Sequence, residues 1–365
     1  MFGMFTEIGP FNVADEKGTI EERKLSWNRD YHLLFLDNPV GTGFSFTMSE
    51  DGYATNQTQV GHELVSALSQ FFTVYPSLRS NEFYVTGESY AGKWVPTCAF
   101  AIHEYNKNAE NKINLKGISI GDGAMDPPSQ LGAGKFGDLL FNLGMIDSNE
   151  KQVFDQYRER MIDEMNNDNY VGAFHIFDEM LNGDIFPYGS YYANVTGMKT
   201  NYFNFEQSPD GSSLTQNYFI DWLSKNETAR NAIHVGAVPY NVLNTTVEKY
   251  LLGDWFLGVK DKVVTLLEND YKVLIYSGQN DIILGPALTE PFLQGLEWSG
   301  QADFQKAKKS MWYTDDGKDL AGWVRQVGKT FTYAVVRNAG HMVPGDQPER
   351  ALDLLSRFVG NNLMF

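Results

Sequence analysis

A single cysteine, Cys98, is all the thiol chemistry these 365 residues carry. One thiol excludes an internal disulfide and any metal site built from paired cysteines. Cys98 lies in an apolar run and reads as a small buried core residue rather than a nucleophile. No stretch of 18 apolar residues occurs, so no membrane-spanning helix is expected. The opening Met1-Phe2-Gly3-Met4-Phe5 lacks the basic start, long apolar middle and small-residue cleavage site of a signal peptide. A basic surplus is also missing: 29 Lys and Arg against 46 Asp and Glu give a net charge of −17. That balance opposes nucleic-acid binding, which needs a positive surface. It fits a protein kept soluble in an acidic compartment, and it equally fits ordinary solubility. No metal or cofactor is expected.

What is present is a strong alternation of apolar runs and helical spacing. Residues 33–36 (Leu-Leu-Phe-Leu), 83–86 (Phe-Tyr-Val-Thr), 118–120 (Ile-Ser-Ile), 273–276 (Val-Leu-Ile-Tyr) and 331–336 read as buried strands. Helical patterns at 60–72 and 95–105 lie around the second of them. Strands alternating with helices predict an α/β sheet with parallel strands. From about residue 149 the texture becomes helical, amphipathic and acidic, and residues 183–215 show little periodicity. The chain therefore divides into a sheet domain over 1–145, an insertion over 146–265 and a return to the sheet over 266–365.

Gly87-Glu88-Ser89-Tyr90-Ala91-Gly92 sits between a predicted strand and a predicted helix. A serine between small residues at such a corner has the pattern of a nucleophile elbow, although a serine in a glycine-rich turn would look the same. A nucleophilic serine needs a histidine base and a carboxylate that orients it, in the order serine, acid, histidine for this architecture. Of six histidines, His341 stands near the chain end just past a strong strand, in a loop fixed by Gly340 and Pro344. Asp281 follows the strand at 273–276 and precedes the apolar Ile282-Ile283-Leu284, as a turn-former or as a buried orienter. Four sequons, at Asn56, Asn194, Asn226 and Asn244, are glycan acceptors if the protein enters the secretory pathway.

Six segments resemble the serine carboxypeptidases, and within them the vitellogenic-like branch. They are 35–46 (FLDNPVGTGFSF), 87–96 (GESYAGKWVP), 118–127 (ISIGDGAMDP), 191–202 (YYANVTGMKTNY), 274–284 (LIYSGQNDIIL) and 338–344 (NAGHMVP), the last followed by Asp346-Gln347-Pro348. The resemblance implies an α/β-hydrolase fold with a mostly parallel sheet, helices on both faces and a largely helical cap insertion. It implies release of single residues from peptide or protein C-termini at acid pH. Carried over by position, Ser89 is the nucleophile, His341 the general base and Asp281 the orienting acid. The Tyr90 amide is one oxyanion-hole donor. Glu7 and Glu88 are implied to bind the substrate's terminal carboxylate, and Met342 to line the pocket for the departing residue. Two carboxyl groups beside a third cannot all ionise cheaply, so at least one must keep a proton. From the residues alone, Glu7 and Glu88 read equally as solvated or salt-bridged groups.

Departures from the resemblance set further expectations. Members carry a glycine-rich segment of the form NGGPGxSS just before the residues equivalent to Met1-Phe2-Gly3. On this reading the chain is truncated, without that segment, a signal peptide or the first strands. It then lacks half of its oxyanion hole and is expected to hydrolyse peptides poorly as written. Met198 stands where a paired cysteine is implied. The implied home of the full-length form is lysosomal, vacuolar or secreted. A catalytically silent peptide-binding or protective protein, and an acyltransferase on the same scaffold, are the alternatives.

Overall fold

The computed structural model describes residues 1–185, 187–198, 203–206, 218–314, 317 and 319–360. Part of the aperiodic stretch at 183–215, and the end of the 191–202 segment, lie outside them. A small antiparallel hairpin, β1 (Phe11–Val13) and β2 (Ile20–Glu22), precedes the main sheet. The sheet comprises β3 (Phe83–Glu88), β4 (Leu115–Gly121), β5 (Lys272–Gly278), β6 (Ser310–Tyr313), β7 (Leu320–Val327) and β8 (Phe331–Val336). Their order is β3-β4-β5-β8-β7-β6. The four strands β3, β4, β5 and β8 run parallel, while β7 and β6 return antiparallel.

The parallel strands β4, β5 and β8 are buried nearly end to end, as strands covered on both faces must be, whereas edge strand β3 fully buries only Val85. On one face, Val60, Leu64, Leu68 and Phe72 of the helix Gln57–Val74 join Val95, Ala99 and Ile102 of the helix Ala91–Asn108 against the sheet. That first helix starts where the Asn56 side chain accepts the Gln59 N–H at 3.0 Å, satisfying one of its orphan donors. On the other face, Leu352, Leu355 and Phe358 of the helix Pro348–Val359 pack on Leu274, Ala334 and Val336.

Between β4 and β5 the described residues form helices and a single bridge, Gly43–Asn241, with no longer strand. The helix Ser148–Asn166 opens with a capping box in which Asp147 and Glu150 satisfy each other's backbone N–H. Phe154, Phe174, Phe177, Tyr192 and Phe256 of this region form a second core. That core also holds Ile282, Ile283 and Leu284, so the helical region rests on the segment immediately after Asp281.

One expected strand is absent. Residues 33–36 pair with no other strand among the described residues, and Leu34 and Leu36 are exposed. A strand needs a ladder of interstrand bonds, which apolar β-prone composition does not itself provide. Leu33 to Leu36 instead line the same cavity as β3, whose outer edge closes the sheet. The hairpin of β6 and β7 lay outside the sequence expectations.

Candidate active site

The four parallel strands lead at their carboxyl ends to Ser89 after β3, Asp122 after β4, Asp281 after β5 and His341 beyond β8, and the side chains of the last three converge within 4.8 Å. The carboxyl ends of parallel strands are where open α/β sheets build their sites.

Ser89 is held at φ 63°, a left-handed conformation that costs a non-glycine residue energy and marks a strained corner. Its N–H donates to the Gly121 carbonyl at 3.0 Å, and its carbonyl accepts from Gly92 and Ala124 at 2.9 and 3.0 Å. Small neighbours make the corner possible. A Cβ on Gly87 would stand 2.5 Å from the Ala91 Cβ, and one on Gly92 would stand 2.5 Å from the Ala124 nitrogen. Tyr90 caps the following helix, and its hydroxyl donates to Asp254 Oδ2 at 3.3 Å. Lys93, fully buried, is paired with the same carboxylate at 3.3 Å and donates to the Asp254 and Leu257 carbonyls. Burial pulls its ammonium down to about 8. The elbow helix is thereby tied to the helix Thr245–Trp255.

His341 is 3% exposed, and its Nδ1 lies 2.9 Å from Asp281 Oδ2. Its Nε2 is buried and has no protein partner among the described residues. Its ring stacks on Phe203 with centroids 4.9 Å apart, and the backbone N–H of His341 donates to the Phe203 carbonyl at 2.6 Å. The preceding Gly340 N–H donates to Asp346 at 2.7 Å, so the loop is pinned on both sides of the ring. Asp281 is 2% exposed and accepts the Ile283 and Leu284 N–H groups at 2.9 and 3.4 Å. One carboxylate thus gathers two backbone donors and the imidazole.

Glu7 and Glu88 share a side-chain hydrogen bond. Glu7 is buried. Glu88 is half-buried as a residue, but its Oε2 is sealed from solvent. Burial pushes the Glu7 carboxyl up to about 7, against the pull of the hydrogen bond from Glu88 and of His341 and Arg23. Burial, reinforced by the neighbouring Glu7, pushes Glu88 well above the usual carboxylate range. Both glutamates, with Ser89 and Tyr90, line a cavity of about 1270 Å³.

Met342, next to the histidine, is half-buried at the start of the short helix Val343–Asp346 and is not among the residues lining that cavity. Asn56 and Asn194 are exposed. Asn226 and Asn244 are half-buried, and the Asn244 amide donates to the Gly41 carbonyl at 2.9 Å. Cys98 is 2% exposed, and burial pushes its thiol up to about 12, which removes it from the chemistry. Asp122 was missed: an acid between two glycines at a strand end reads as a turn.

A family model described as serine carboxypeptidase matches residues 1–361. The chain is 45% identical to a venom serine carboxypeptidase of Apis mellifera, over 99% of this chain and 75% of the bee protein. It is 37% identical to a vitellogenic carboxypeptidase of Aedes aegypti, over 100% of this chain and 75% of the mosquito protein. Among solved structures, a prohormone-processing carboxypeptidase of Saccharomyces cerevisiae superposes with a TM-score of 0.83 at 22% identity, covering 99% of this chain and 80% of the yeast one. That likeness shows the fold, an α/β-hydrolase sheet with helices on both sides.

Proposed function

The chain belongs to the serine carboxypeptidase family, and from that premise we propose that Ser89, His341 and Asp281 cleave the last peptide bond of substrates whose free C-terminus rests on Glu7 and Glu88. The observation that carries this reading is the buried His341, bonded to Asp281 through Nδ1 with Nε2 left unpartnered, at the same carboxyl edge of the sheet as the elbow serine. A neutral imidazole so arranged has one nitrogen committed to the acid and the other able to take a proton.

His341 Nε2 takes the Ser89 Oγ proton as Oγ attacks the scissile carbonyl carbon. The negative charge that develops on the carbonyl oxygen meets the Tyr90 N–H at the open end of its helix, one of the donors with no partner inside the helix. His341 then gives its proton to the departing amine, and the last amino acid leaves. A water, deprotonated by His341, releases the acyl group from Ser89. Asp281 holds the imidazole in the tautomer both steps require.

The glutamate pair explains why an exopeptidase acts at acid pH on this reading. A substrate carboxylate is bound by O–H donors and repelled by a third negative charge. Glu7, at about 7, carries its proton below neutrality and loses it above. Entry to a lysosomal, vacuolar or secretory environment, with glycans on the exposed Asn56 and Asn194, belongs to the same proposal and matches this dependence.

A serine-directed phosphonate separates this enzyme reading from a silent binding protein. Labelling of Ser89, abolished in S89A along with the release of C-terminal residues that the chain supports, is expected. Well-folded protein that neither labels nor cleaves would sink the reading. Transfer of the acyl group to added amines or alcohols in preference to water would replace it with acyl transfer.

A further inference from the structure

Asp122 is fully buried at the end of β4, between the strands that carry Ser89 and Asp281, and the reaction above does not use it. Its ligand-type atoms, those of Asp281 and those of His341 all lie within 4.8 Å of one another. Its φ of 42° is unusual for a residue other than glycine, so the backbone is held against a local cost to aim this side chain inward. The Asp122 N–H donates to the Tyr276 carbonyl at 2.8 Å, and Oδ1 accepts the Gly278 N–H at 2.8 Å. Oδ2 receives no donor among the described residues, and the Asp281 carboxyl lies within hydrogen-bond reach of the Asp122 side chain.

Two ionised carboxylates cannot sit together there. Removing a charge from water without a partner costs several kcal/mol, and adjacent like charges add to that cost. The asymmetry between the two acids decides which one holds the proton. Asp281 has two N–H donors and the imidazole N–H, whereas Asp122 has one N–H. We propose that Asp122 is a positioning residue for the hydrolytic centre: carried as the neutral acid, it donates its O–H to Asp281 and so fixes the carboxylate that orients His341.

The groups around it favour this state. Asp281, Glu88 and Tyr276 bear on it from β5 and β3, Tyr333 from β8, and Glu7 through Glu88 and Tyr276. His341 is the one basic member of the trio. Burial first, then Asp281 and Glu88, push the Asp122 carboxyl well above its usual range. An O–H from Asp122 adds a further donor to Asp281, makes it a weaker proton acceptor and leaves the imidazolium proton on His341. A bound cation would need the same three groups turned toward one point, but the imidazole Nδ1 is already committed to Asp281.

This rests on the Ser89–His341–Asp281 reading, and the test keeps the two apart. Infrared difference spectra of the whole protein at neutral pH, wild type minus D122N, should show one protonated buried carboxyl band removed. Identical spectra would overturn the proposal whatever Ser89 does. The second readout is the rate of Ser89 phosphonylation, which needs the serine and histidine but no substrate carboxylate. D122L should slow it by up to about 100-fold, the scale of a misplaced catalytic group. D122N, which keeps a donor at the same place, should restore most of that loss and extend the rate plateau toward alkaline pH. Equal loss in D122N and D122L, or activity removed by chelators and restored by a divalent cation, would overturn it.

Discussion

Two pairs of carboxyl groups lie within one site, and they behave differently because of what surrounds them. Glu7 and Glu88 bond to each other and line the cavity. Asp122 and Asp281 face each other beneath the histidine, sealed from solvent. In both pairs burial forces a shared proton. In the sealed pair the donors are unequal: Asp281 takes N–H groups from Ile283 and Leu284 and the imidazole, and Asp122 takes one from Gly278. The proton therefore has a fixed owner, and the pair is scaffolding. In the open pair no such imbalance of backbone donors exists, so the proton can leave in the working range. Under the proposed function, Glu7 at about 7 makes substrate binding depend on pH.

The hardest blow to the sealed pair is D281N. An amide offers the imidazole the wrong partner and inverts the tautomer, so kcat should fall by about 10⁴-fold. Steady-state kcat against phosphonate labelling checks this, since both need the base. A loss below tenfold in both would remove Asp281 from the role of orienter and with it the reason for Asp122 to be neutral.

The open pair is broken by E7Q combined with E88Q. Wild-type KM should rise about tenfold per pH unit once pH passes the Glu7 value of about 7, because a single proton governs carboxylate binding. The double variant keeps uncharged donors at every pH, so its KM should stay level over the same range with kcat little altered. A KM that still climbs in the variant would assign the pH dependence to another group.

How much of this could be read beforehand follows the same division. The elbow was legible because its chemistry is local: a strand, small residues and a serine occur within a dozen positions. The strands ending at Asp281 and before His341 were legible because parallel strands buried on both faces leave continuous apolar runs. Residues 33–36 carry the same apolar signal yet form no ladder, since pairing depends on a neighbour that composition cannot name. Asp122 failed for a related reason. Only the order β3-β4-β5-β8 brings the end of β4 beneath Asp281, and strand order is a property of the whole chain. Glu7, more than 80 positions from Glu88, needed the resemblance to a family to be noticed at all.

The smallest effect concerns stability, and its pH window separates the two pairs. A carboxyl whose folded value is raised contributes stability that is complete below its unfolded value and is lost as pH rises through the folded one. For Glu7 the window runs from 4.5 to about 7, so the protein should be more stable in mild acid than above neutrality. One such group is worth about 3 kcal/mol at most, which is a shift of a few degrees in Tm for a chain of this size. Thermal melts across that window should show the decline in wild type and a shallower one in the E7Q/E88Q variant. D122N should also make the decline shallower, because Asp122 holds its proton in the folded state while the unfolded aspartate, with an ordinary value of 3.8, gives it up; the decline that Asp122 contributes runs on above the Glu7 value. In E7Q/E88Q the remaining decline should therefore continue above about 7; a remaining decline that stopped there would mean that the sealed pair also releases its proton near neutrality, and the division between scaffold and sensor would fail.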